Sequence, residues 1–107
     1  PLISMVYTTT KQIIESFSGG RENSFSKVVF VEYPRKGVWT LGFVTKETKN
    51  DHNQRFYNLF VPTTPNPTSG FFLIIPIDDV KETDINVEEG FQMIVSSGMV
   101  SGDKTPF

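Results

Sequence analysis

Hydrophobic positions along this chain switch from helical to strand spacing and back. Ile3, Val6, Thr10, Ile13 (with Ile14) and Phe17 recur at alternating steps of three and four, which places them on one face of a helix over residues 1–18. Thr8, Thr9 and Thr10 are poor helix formers, so this helix needs tertiary support. Gly19-Gly20 supplies its C-terminal stop. Lys27 to Tyr33 reads as a strand whose Val28-Val29-Phe30-Val31 run lacks alternation, as expected where both faces are covered. Pro34-Arg35-Lys36-Gly37 then forms a tight turn, with Pro early and Gly late. Val38 to Val44 returns as a second strand with Trp39, Leu41 and Phe43 on one face and Val38, Thr40, Gly42 and Val44 on the other.

Thr45 to Arg55 is polar throughout and reads as a solvated, mobile loop. Phe56 to Val61 and Phe71 to Ile75 are apolar runs with the look of buried strands. Pro76-Ile77-Asp78-Asp79 is a turn, and Val80 to Thr83 a short edge strand. Asn86 caps a second helix, with Glu89 where a capping-box glutamate sits. Val87, Phe91, Ile94 and Val95 form its buried stripe, and Gly98 ends it at the C′ position. The tail from Met99 to Phe107 has little to hold it. Strands over 27–83 between helices at 1–18 and 87–97 make an α+β domain by the layer rule. Its four- to five-stranded, mostly antiparallel sheet has a place to bend toward a small barrel at Gly42.

Between the third and fourth strands lies the least ordinary stretch, Val-Pro-Thr-Thr-Pro-Asn-Pro-Thr-Ser-Gly at 61–70. Pro62, Pro65 and Pro67 fix φ and remove amide donors, and they push the residues before them toward extended backbone. Thr63, Thr64, Thr68, Ser69 and the Asn66 amide are thereby presented on a stiff loop that ends at Gly70. A rigid loop between core strands suggests a ligand site, a docking surface or a structural crossing.

Other candidate chemistry is thin. With 107 residues, 37% apolar content and ten phenylalanines, the chain is one domain with an ordinary core. A net charge of −2 argues against a nucleic-acid footprint. The lack of cysteine removes disulfides, thiolate catalysis and cysteine zinc sites. His52, the sole histidine, sits in the polar loop without metal-binding companions at useful spacing. Asp78-Asp79, with Glu82 and Asp84, lacks the alternating spacing of a calcium loop. No nucleophile–base constellation is visible and no phosphate loop precedes a helix. The sequence therefore implies no cofactor, no metal and no catalytic residue. Arg35 and Lys36 at the hairpin tip are candidates for an anionic membrane surface, where two charges contribute roughly 2 kcal/mol.

Residues 11–18 (Lys-Gln-Ile-Ile-Glu-Ser-Phe-Ser), 28–44 and 60–70, with the Glu-Tyr-Pro-Arg-Lys-Gly turn and the proline loop in matching order, carry a resemblance. The chain resembles the COV-like membrane proteins, grouped as domain of unknown function 502, with bacterial, archaeal and plant continuous vascular ring members. The resemblance runs from about Pro1 to Val100. It implies two transmembrane helices ahead of this domain, hence a cell-membrane protein whose soluble part faces the cytoplasm. A start at Pro1-Leu2-Ile3 without an initiator methionine fits that expectation. The family brings no established catalytic residues to carry over. Two functions follow: a non-enzymatic module for self-association or partner binding near the bilayer, or a small-ligand, anion-binding or enzymatic domain using residues 62–70. A deep polar pocket at Thr63, Thr64, Asn66 and Ser69 favours the second, and an apolar patch beside the loop favours the first.

Overall fold

The computed structural model describes residues 27–102, 104, 105 and 107. The helix expected over residues 1–18 lies outside them. Five strands run in the order β1 (Lys27–Glu32), β2 (Trp39–Lys49), β3 (Arg55–Pro62), β4 (Gly70–Pro76) and β5 (Val80–Glu82), followed by the helix α1 (Val87–Val95). They form one antiparallel sheet of spatial order β4-β3-β2-β1-β5. Among the described residues the architecture is thus mostly β with one helix.

β1 is an interior strand between β2 and β5, and its four apolar residues, with both faces covered, are all buried. Val28 and Phe30 join Leu41, Phe43 and Phe91 of α1 on one face. Val29 and Val31 join Val44, Tyr57, Leu59 and Val61 on the other. The β1–β2 hairpin has the expected faces, with Trp39, Leu41 and Phe43 toward α1. Its turn is closed by Tyr33 N donating to Val38 O at 2.8 Å and by Gly37 N donating to Glu32 Oε2 at 2.6 Å. Gly37 adopts φ +87, which glycine takes without a Cβ penalty.

α1 starts at a complete capping box: Asn86 Oδ1 accepts from Glu89 N, and Glu89 Oε1 accepts from Asn86 N. Its end differs by one residue from the sequence expectation. Ser97, not Gly98, is the C′ residue with φ 55. Gly98 follows as C″ with its N–H on Met93 O at 2.7 Å, while Ser97 N reaches Ile94 O. This is a Schellman ending, which satisfies carbonyls that a helix otherwise leaves open.

Three further expectations are corrected. Thr45 to Arg55 is not one loop: β2 continues to Lys49, β3 begins at Arg55, and the turn is confined to residues 50–54. A ribbon solvated on both sides tolerates polar residues throughout. The turn is organised by Asn50 Oδ1, which accepts from His52 N and Gln54 N, and the ribbon by Arg55 paired twice with Glu47. The sheet does not close into a barrel, since no ladder joins β4 to β5. It does coil, because those opposite edges are linked by a single 3₁₀ turn, Ile77–Asp79. The ladder between β2 and β3 is broken by a bulge between Val44 and Lys46, and a Cβ on Gly42 would lie 3.5 Å from Leu59 and Val61. Finally, the tail is held: Phe107 stacks on Trp39, centroids 4.3 Å apart, and meets Phe30 edge-on at 5.4 Å.

Candidate functional site

Residues 63–69 connect β3 to β4 as a knot of hydrogen bonds. Thr63 N donates to Ser69 O across its neck, and Thr63 Oγ1 donates to Asn66 O and Ser69 O. Asn66 Oδ1 accepts from both the N–H and the hydroxyl of Thr68. Pro67 is fully buried beneath. Gly70 leaves no room for a side chain: a Cβ there would lie 2.2 Å from Val61 O. Thr64 projects the other way. Its hydroxyl donates to Ile94 O and lies 2.9 Å from Ser97 Oγ, so the loop is clasped to the C-terminus of α1.

The loop's hydroxyls are therefore turned onto backbone carbonyls, the Asn66 side-chain oxygen and other hydroxyls. A small apolar hollow of about 140 Å³ touches the loop, at Thr64, bordered by Leu41, Met93 and Ile94. Directly beyond Gly70, β4 carries Phe71, Phe72 and Ile74, exposed by 55%, 67% and 55%. This corrects the expectation of a buried strand. β4 lies at the sheet's edge, so no strand among the described residues pairs along its outer side. Phe72 and Ile74 sit opposite Phe60 and Asn58 of β3, and Phe71 opposite Val61. The sequence held one signal for this surface: no charged residue occurs between Arg55 and Asp78.

The other candidates are dispersed. Arg35 and Lys36 are exposed at the hairpin tip, where Tyr33 packs on Phe71 with centroids 5.8 Å apart. The tip thus adjoins the exposed end of β4. His52 is exposed in the β2–β3 turn. Asp78 and Asp79 rim a hollow of about 520 Å³ with Lys36 and Lys81. Among the described residues, no three His, Cys, Asp or Glu side chains converge as a metal site would require.

Glu82 belongs to a different group, which pins the coil of the sheet. Lys27 Nζ donates to Glu82 Oε1 at 2.7 Å and to Tyr57 Oη at 2.9 Å, and the Tyr57 hydroxyl donates to Glu82 Oε1. The Lys27 ammonium and then the Tyr57 hydroxyl hold the Glu82 carboxyl below its ordinary 4.5. Glu82 and then Tyr57 hold the Lys27 ammonium above its ordinary 10.5. Both side chains remain about half exposed, so solvent screens the pair.

The sequence pattern that defines the family described as "Protein of unknown function (DUF502)" matches residues 1–69. The chain belongs to this family. Over 103 residues the DUF502 chain is 27% identical to Protein LIKE COV 2 of Arabidopsis thaliana, covering 92% of this chain and 39% of that protein. Protein LIKE COV 1 and Protein CONTINUOUS VASCULAR RING 1 of the same plant match at the same identity and share of this chain. The chain thus spans about two fifths of the length of these curated relatives. No solved structure matches. Among the described residues, no helix is long and apolar enough to cross a membrane.

Proposed function

We propose that this DUF502 domain is a non-catalytic interaction module that associates with further copies of itself close to a cell membrane. The observation that carries this reading is the exposed apolar edge strand β4, with Phe72 and Ile74 on one face and Phe71 on the other, beside a loop whose hydroxyls are already hydrogen-bonded. Monomers seldom leave large apolar side chains exposed along one strand, among the described residues, without an interaction purpose. The membrane comes from the resemblance to COV-like proteins. In this reading a membrane anchor outside this chain confines the domain to two dimensions on the cytoplasmic side, with Arg35 and Lys36 toward anionic headgroups. Confinement raises effective concentration, so a weak contact suffices. Sedimentation equilibrium of this chain tests the reading. A concentration-dependent oligomer is expected, and a longer family member carrying transmembrane helices should assemble more tightly in mild detergent. A strict monomer in both settings sinks the proposal. Turnover of a phosphoester or acyl substrate, abolished by Thr64→Ala or Ser69→Ala, would establish the enzymatic alternative instead.

A further inference from the structure

The two edges of the sheet differ in kind. β5 is three residues long and presents the exposed charges of Lys81 and Glu82, the usual means of blunting an edge. β4 is seven residues long, apolar and uncharged. Its backbone phase follows from two bonds. Thr63 N donates to Ser69 O, so that opposite pair is hydrogen-bonded. Antiparallel pairs alternate, and the register continues through Pro62↔Gly70, Val61↔Phe71 and Phe60↔Phe72. Phe71, Leu73 and Ile75 therefore bond β3, whereas Gly70, Phe72 and Ile74 turn their N–H and C=O groups outward. Thr45 Oγ1 donating to Asn58 O at 3.2 Å agrees: Asn58, opposite Ile74, directs its carbonyl toward β2 and away from β4.

We propose that two copies of this chain join through their β4 strands, edge to edge and antiparallel, about a two-fold axis at Phe72. This rests on the self-association reading above and names its surface. In that register Phe72 faces Phe72 of the second copy, and Gly70 faces Ile74 in both directions. All three outward residues then exchange both of their backbone hydrogen bonds. The alternatives are poorer. An axis at Ile74 sets Phe72 against Pro76, which has no donor. An axis at Gly70 sets Ile74 against Asn66, inside the knotted loop. Side chains follow the same symmetry. The two Phe72 rings meet as an aromatic cross-strand pair on the α1 face, and Phe71 meets Leu73 of the second copy on the opposite face. A second copy suits this edge because the strand is self-complementary and carries no charge to oppose itself. A lipid surface suits it poorly, since outward N–H and C=O groups would be left unpaired there.

Charge pairing at the axis provides the test. The Phe72 side chain is exposed, so Phe72→Asp and Phe72→Lys should both fold, as checked by circular dichroism. Each variant alone places like charges face to face and should dimerise about tenfold more weakly or worse. An equimolar mixture should recover dimers, because Asp now faces Lys. Amide exchange gives a second signature. In the wild-type dimer the Gly70, Phe72 and Ile74 amides should be protected and should lose protection on dilution, while Phe71, Leu73 and Ile75 stay protected throughout. Variants that each oligomerise as strongly as the wild-type chain overturn the β4 contact and leave self-association standing. A wild-type chain that stays monomeric overturns both. A monomer whose binding to phosphatidylcholine–phosphatidylglycerol vesicles is lost in Phe72→Asp makes the edge a lipid contact and overturns this proposal.

Discussion

The ring of Phe91 lies flat against that of Phe43, centroids 4.3 Å apart and planes 18° from parallel, with both residues fully buried. This stack fastens α1 to the centre of the sheet. Gly90 lets the helix come so close: a Cβ there would lie 3.0 Å from both Phe43 Cε1 and Val28 Cγ2. Phe91→Ala should lower stability by about 3–5 kcal/mol in chemical denaturation, through lost burial and a residual cavity. Gly90→Leu should cost about 1–3 kcal/mol despite leucine's better helix propensity, because neither neighbour has space to retreat. A Gly90→Leu variant as stable as wild type would show that α1 packs more loosely than this.

The clasp between Thr64 and the end of α1 should be measurable as a coupling. Thr64→Val removes the donor to Ile94 O and the contact with Ser97 Oγ while keeping the side chain's shape. A loss of about 1 kcal/mol is expected. Combined with Ser97→Ala, the two effects should fall short of additive by roughly 0.5 kcal/mol or more, as for groups sharing one network. Strict additivity would mean that loop and helix are energetically separate.

Two glycines should respond differently to alanine. At Gly70 the added Cβ meets backbone, the Val61 carbonyl at 2.2 Å and Pro62 Cα at 2.8 Å. Gly70→Ala should cost about 3 kcal/mol or more and separate the start of β4 from β3. At Gly37 nothing lies within 4 Å, and only the positive φ is penalised. Gly37→Ala should cost about 1–2 kcal/mol. Urea midpoints of the two variants, measured side by side, check this order.

The pH dependence of stability should carry the mark of the group that pins the coil. Glu82 has a lowered carboxyl value in the fold, so its contribution is present above pH 4.5 and is lost as pH falls through that lowered value. Lys27 has a raised value, so its contribution is complete below pH 10.5 and is lost only as pH rises through the raised value. Glu82→Gln should reduce the difference in unfolding free energy between pH 7 and pH 3, measured by urea denaturation, by no more than about 1 kcal/mol given its exposure. An unchanged difference would show that the pair contributes nothing to folding.

Local physics was legible in the residues themselves. The faces of the β1–β2 hairpin, the Pro34–Gly37 turn and the Asn86–Glu89 capping box depend on neighbours a few positions apart, so spacing alone determined them. Burial across the sheet was not legible. Val28–Val31 and Phe71–Ile75 look alike as apolar runs, yet one became an interior strand and the other an edge. Strand order decided that, and strand order comes from the whole set of pairings. The same holds for the polar residues. Thr45 to Lys49 read as loop because their strand character comes from Arg55 to Asn58 across the ribbon. The hydroxyls of the proline loop were foreseeable as rigidly held, but only the folded chain brought Ile94 O within reach of Thr64. Residue types and short spacings specify conformation nearby in sequence; which surface stays open to a partner depends on what long-range pairing leaves uncovered.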